Sequence, residues 1–169
     1  MLFANFLQVS YSPSRLPYVL LAVAAGIGVV LYLRFRRGRA DIMRAFASKR
    51  GLQWLGSVPP ADFPRKILDE VYAGWVMPRW SAPQNVIGGM LGSDLLLAFD
   101  ITVAKGDGVY HRTIVARRSP TAVPKSNFPK GYIYRCAGEW HLATMESSTM
   151  VVEKLIEPAS IEKLWLQLA

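Results

Sequence analysis

A chain of 169 residues with a formal net charge of +8 and one cysteine is long enough for a modest folded domain plus an appendage, and such a core needs no disulfide. The lone Cys136 excludes an intramolecular disulfide and any CxxC redox or metal motif, and it favours a reducing compartment. The charge does not point to nucleic acid: residues 34–50 carry seven basic side chains against Asp41 alone, whereas from Gly51 onward twelve basic residues meet eleven acidic ones. Nucleic-acid binders spread their basic residues over a docking face, and here the excess is a local collar.

What precedes the collar explains it. Residues 17–33, PYVLLAVAAGIGVVLYL, contain no charged side chain. At about 1.5 Å per residue they reach roughly 26 Å, the lower end of what a bilayer core requires, and Leu16 and Phe35 can extend them. Tyr18 and Tyr32 sit near the ends, where amphipathic rings favour the interface. Ala22-Val23-Ala24 superficially matches a signal-peptidase site, but only Arg15 precedes it and a stop-transfer block follows, so a retained anchor is expected.

The same arginines predict orientation. Arg34, Arg36, Arg37 and Arg39 on the C-terminal flank outweigh Arg15 on the other, which places the N-terminus outside and the rest in the cytoplasm of a cell membrane. The collar would also attract anionic lipid headgroups, by about 1 kcal/mol per basic residue near the surface. Ala22 with Gly26, and Ala24 with Gly28, have small-xxx-small spacing that lets two helices approach, although small residues are common in such segments.

Beyond the membrane, residues 36–56 read as a basic juxtamembrane helix. Ile42, Met43, Phe46 and Leu52 fall near one stripe, and Gly51 is a plausible stop. Its apolar side can lie on the membrane surface or pack on the following domain. In SVPPADFPRKILDEVYAGW a second short helix is expected, with Asp62 as N-cap, Pro64 in the first turn, and Ile67, Leu68, Val71 and Tyr72 as the apolar face. The prolines of VMPRWSAPQ break regular structure. Trp75 and Trp80 flank that loop as core anchors or, alternatively, as the wall of a ligand or interface site.

The stretch NVIGGMLGSDLLLAFDITVA, residues 85–104, is apolar enough to raise the question of a second span. From Leu95 the odd positions are all apolar, while the even ones turn polar at Asp100 and Thr102, which is the period of a strand. KGDG at 105–108 is a hairpin turn, and VYHRTIVARR returns. Asp94 and Asp100 would be costly in lipid, so the run is a sheet. Gly88, Gly89 and Gly92 match no phosphate-loop pattern and no helix follows them; a bulge or close backbone approach before the strand is expected instead.

An even hairpin loop would bring Asp100, Thr102, His111 and Thr113 onto one face. An aspartate and a histidine there can in principle orient a proton donor, but no nucleophile is tied to them, and a solvated sheet face is the simpler expectation. His141 is the only other histidine, so no histidine-rich metal site, cofactor motif or catalytic constellation is visible. Residues 132–136 and 139–146 look like two further strands, with Cys136 a buried strand residue. SSTMVVEKLI is ambiguous between helix and strand. EPASIEKLWLQLA is a helix with Pro158 in its first turn and Ile161, Leu164, Trp165 and Leu168 facing inward.

Four pieces of the chain, Ala47 to Gly51, Asn85 to Gly89, Ala98 to Asp100 and Thr113 to Ala116, lie within residues 45–118. Together they resemble a group of uncharacterised bacterial proteins with a helix end like A..RG, a segment like NVIxGxxxGxxxxAFD and a strand like TVVA; Ser93 stands where that pattern has its second glycine. The resemblance implies an often membrane-anchored domain and carries over no catalytic residue.

The expected architecture is therefore α+β. A short extracytoplasmic segment (1–16) leads to a transmembrane helix (17–35), the basic juxtamembrane helix (36–56) and a cytoplasmic domain (57–169) with an antiparallel sheet and flanking helices. The expected role is a single-pass, membrane-anchored binding or scaffold module that meets a protein partner or a second copy through its helix. The alternative is a lipid or small-ligand binder at the membrane surface, using Trp75, Trp80 and the sheet.

Overall fold

The computed structural model describes residues 16–73, 82–106, 108–120, 128–146 and 155–168. The expected extracytoplasmic segment, up to residue 15, and most of SSTMVVEKLI lie outside the described residues. The chain divides into two compact units, the boundary falling after Arg39. One helix, α1 (Leu16–Lys49), crosses that boundary without a break.

In the first unit, α1 is long and apolar enough to cross a membrane, and none of its apolar window is buried by protein. Leu21 and Val30, for example, are 70% and 63% exposed. The Arg36 guanidinium lies over the Tyr32 ring, 5.7 Å from its centroid, one turn along the helix.

The second unit begins with the last turns of α1 and continues through β1 (Gln53–Gly56), α2 (Lys66–Val71), β2 (Gln84–Leu91), β3 (Asp94–Lys105), β4 (Gly108–Arg118), β5 (Tyr132–Ala137), β6 (Trp140–Met145) and α3 (Pro158–Gln167). The expected α+β class is thus present: six strands form one sheet in the order β1-β2-β3-β4-β6-β5, antiparallel throughout. β3 and β4 form its long centre. Their hairpin closes at Lys105 opposite Gly108, and Gly106 adopts φ +58°, as a tight turn of this kind requires.

Several sequence expectations shift. The juxtamembrane helix does not reach residue 56. It ends at Lys49, Gly51 takes φ +67°, and residues 53–56 become the edge strand β1, so the folded unit starts before residue 57. Ile42 is exposed, and the buried stripe is Met43, Phe46 and Ala47. Asp62 does not cap α2; the N-cap is Arg65, without a side-chain hydrogen bond, and the Asp62 carboxylate instead accepts from Arg118.

The glycine-rich segment is itself a strand, β2, rather than an approach to one. Gly88 and Gly89 are needed for close packing: a Cβ on Gly88 would lie 3.1 Å from the Leu96 carbonyl oxygen, and one on Gly89 2.8 Å from Leu52. The bulge falls elsewhere, between Gln84 and Ile87, where Asn85 takes φ +55°.

Both faces of the sheet are covered. On one, α2 and Phe63 pack on Leu97, Phe99, Ile101 and Val103, with Phe63 edge-on to Phe99 and Trp140. On the other, the end of α1 and α3 pack on Ile87, Leu96, Ala98 and Val115. The inward stripe of α3, namely Ile161, Leu164, Trp165 and Leu168, is buried as its spacing predicts, and Pro158 lies in its first turn.

Candidate functional site

The polar positions of the central hairpin come together as the even loop requires. Asp100 stands opposite Thr113 and Thr102 opposite His111, which makes Asp100 and His111 diagonal neighbours. Their face is not solvated, contrary to the expectation from sequence. Asp100, Thr102 and Thr113 are 5%, 3% and 1% exposed. Alternation along a strand reports polarity, and it could not reveal that elements distant in sequence cover this side too.

Burial makes each polar atom's partner matter. Thr113 Oγ1 donates to one Asp100 oxygen at 2.6 Å, and Asn85 Nδ2 donates to the other at 2.9 Å. The left-handed Asn85 backbone thus places an amide on a buried carboxylate, and asparagine tolerates that region better than most residues. Thr113 Oγ1 also accepts from the Ile156 backbone N–H at 3.2 Å, pinning the lead-in to α3. Thr102 Oγ1 and His111 Nδ1 are 3.1 Å apart and hydrogen-bonded. Donors on both its oxygens suit Asp100 to hold the bulge and α3 against the sheet.

A second polar pair closes the same face nearer the β2–β3 turn. Arg117 donates from Nε and Nη2 to Asp94, and from Nη1 to the Trp165 carbonyl oxygen at 3.2 Å. The side chains are only 15% and 9% exposed. A hydrogen bond from Ser119, opposed by burial and reinforced by Arg117, holds the Asp94 carboxyl below the usual carboxylate range.

Beside this pair the surface opens into an apolar groove of about 240 Å³ between the end of α1, the β2–β3 turn and α3, lined by Phe46, Leu52, Met90, Leu91, Trp165 and Leu166. Met90, Leu91 and Leu166 are 61%, 57% and 66% exposed. Arg50 and Glu162 pair at its rim. These three exposed residues did not stand out in the sequence. The signal was present, since Leu166 lies off the buried stripe of α3 and Met90-Leu91 stand at a turn marked by Gly92, where polar residues are usual.

The remaining sequence candidates divide. Arg34, Arg36 and Arg37 are exposed along α1, as a collar requires, while Arg39 is buried. Trp75 and Trp80 lie outside the described residues. Cys136 is half-buried in β5 rather than fully buried. Among the described residues no group of three or more His, Cys, Asp or Glu side chains is placed to hold a metal ion. No family model, curated protein or solved structure matches the chain.

Proposed function

We propose that this protein is a single-pass, membrane-anchored module whose α+β unit lies in the cytoplasm and works by binding a protein partner beside the membrane. The observation that carries the binding role is the exposed Met90, Leu91 and Leu166 patch around the apolar groove. Contiguous exposed apolar side chains rimmed by charges mark interaction surfaces, and methionine adapts to irregular partners.

The anchor reading rests on the length and composition of α1 and on the collar after it. Arg34, Arg36 and Arg37 would draw anionic headgroups and favour a cytoplasmic C-terminal side. The small residues Ala22 and Ala24 are followed one turn on by Gly26 and Gly28, and the open space around both glycines leaves room for a second anchor helix to approach.

Crosslinking in intact membranes followed by affinity capture of the solubilised full chain tests the binding role. The expected result is one reproducible partner that is lost when Leu91→Ser and Leu166→Ser are combined. Capture that is unchanged by that pair would remove the groove from the reading.

A further inference from the structure

The apolar groove carries both halves of a contact with itself. Met90 and Leu91 at the end of β2 and Leu166 of α3 stand exposed along it, and the open space among them is about 240 Å³. A dry cavity of roughly 150 Å³ already holds a benzene ring, so the groove has room for a leucine or methionine side chain. Exposed aliphatic side chains and a space that accepts one thus share a single patch.

The charges at the groove are of both signs and cancel. Arg50 pairs with Glu162, and Arg117 with Asp94. The second pair is nearly buried, whereas the side chains of Arg50 and Glu162 are 47% and 37% exposed and within reach of a partner. An acidic or a basic segment gains no net attraction from such a rim, because its charges meet one group of each sign. A surface with one cation and one anion beside an apolar patch does fit, and a second copy carries that set by construction. In a two-fold contact the patch faces itself, so Arg50 of each copy can meet Glu162 of the other.

Resting on the binding role given to the groove above, we propose that its partner is a second copy of this chain. The two copies meet in a two-fold contact that packs Met90, Leu91 and Leu166 between them and exchanges the Arg50–Glu162 pair across it. Two-fold dimers are by far the commonest closed assemblies. An anchor in the same membrane would hold the copies in one plane and one orientation, raising their effective concentration so that a small contact suffices.

Sedimentation equilibrium of the full chain in a non-ionic detergent, over a range of concentrations, tests this with two charge reversals, Arg50→Glu and Glu162→Arg. The parent is expected to dimerise reversibly. Each reversal alone sets two like-charged pairs across the contact and should weaken dimerisation about three- to thirtyfold, the range for losing two exposed ion pairs. An equimolar mixture of the two variants should recover the parent's dimerisation, because each pair across the contact then joins unlike charges. Pairing within a chain cannot produce that recovery, since residues 50 and 162 of each variant still carry like charge. Both side chains are partly exposed, so unfolding curves close to the parent's are expected for each variant. The proposal is overturned if the parent stays monomeric, if both reversals dimerise as the parent does, or if the mixture dimerises no better than either variant alone. A monomeric parent whose captured partner is still lost when Leu91→Ser and Leu166→Ser are combined would overturn the second copy and leave the groove as a binding surface for another protein.

Discussion

Phe46, near the end of α1, stacks on Trp165 of α3 with ring centroids 6.0 Å apart and planes 18° apart. The same indole donates from Nε1 to the Leu97 carbonyl oxygen at 3.0 Å, so one side chain joins two helices distant in sequence to the central strand. Trp165 is 5% exposed. Trp165→Ala should cost about 3–5 kcal/mol through lost burial and the cavity left behind. Trp165→Phe keeps a ring against Phe46 but drops the hydrogen bond, and should cost about 1–3 kcal/mol. Denaturant unfolding of the two variants checks both the size and the order.

Close approach at β2 makes a second prediction. At Gly88 an added methyl group meets the Leu96 backbone oxygen at 3.1 Å and the Leu97 side chain at 3.2 Å, whereas at Gly89 it meets the end of the Leu52 side chain at 2.8 Å. A side-chain tip can rotate away, but a sheet carbonyl cannot. Gly88→Ala should therefore destabilise by about 1–3 kcal/mol and by more than Gly89→Ala, which thermal unfolding of the pair would reveal.

Stability should fall at both ends of the pH scale for identifiable reasons. The folded Asp94 carboxyl is held below its ordinary value, chiefly by the Ser119 hydrogen bond. Its contribution is present above the unfolded carboxylate value, about 3.9, and is lost as pH falls through the lower folded value. Asp94→Asn should flatten the acid limb of the stability profile relative to the parent, as unfolding across an acid pH series would show.

Tyr72 acts at the other end. Burial pushes its phenol up to about 12 from 10.0, partly offset by its hydrogen bond to Thr144 and by Arg112. That contribution is full below pH 10.0 and lost as pH rises from there to about 12. Tyrosinate absorbance of the parent should show a late phase belonging to Tyr72. That late phase should vanish in Tyr72→Phe.

These relationships also show what the sequence made legible. The β3–β4 hairpin was readable because KGDG and a period of two act over neighbouring residues. The stripe of α3 was readable for the same local reason. β2 was not, because two glycines and a left-handed Asn85 lower strand propensity, and only the approach of Leu52 and the Leu96 carbonyl explains the glycines. Pairings such as Arg117 with Asp94, or Asn85 with Asp100, depend on register across the sheet. Residues that look like a solvated face are therefore buried beneath elements brought in from elsewhere in the chain. The exposed Met90, Leu91 and Leu166 groove likewise becomes visible only when α3 is set beside the β2–β3 turn.

The proposed arrangement, an anchored helix with a cytoplasmic binding unit, is tested most directly by topology mapping in cells, with a reporter fused after Ala169. A reporter active only in the cytoplasm, on protein that stays with the membrane after alkaline extraction, is the expected result. An extracytoplasmic reporter, or release of the protein by alkali, would contradict it.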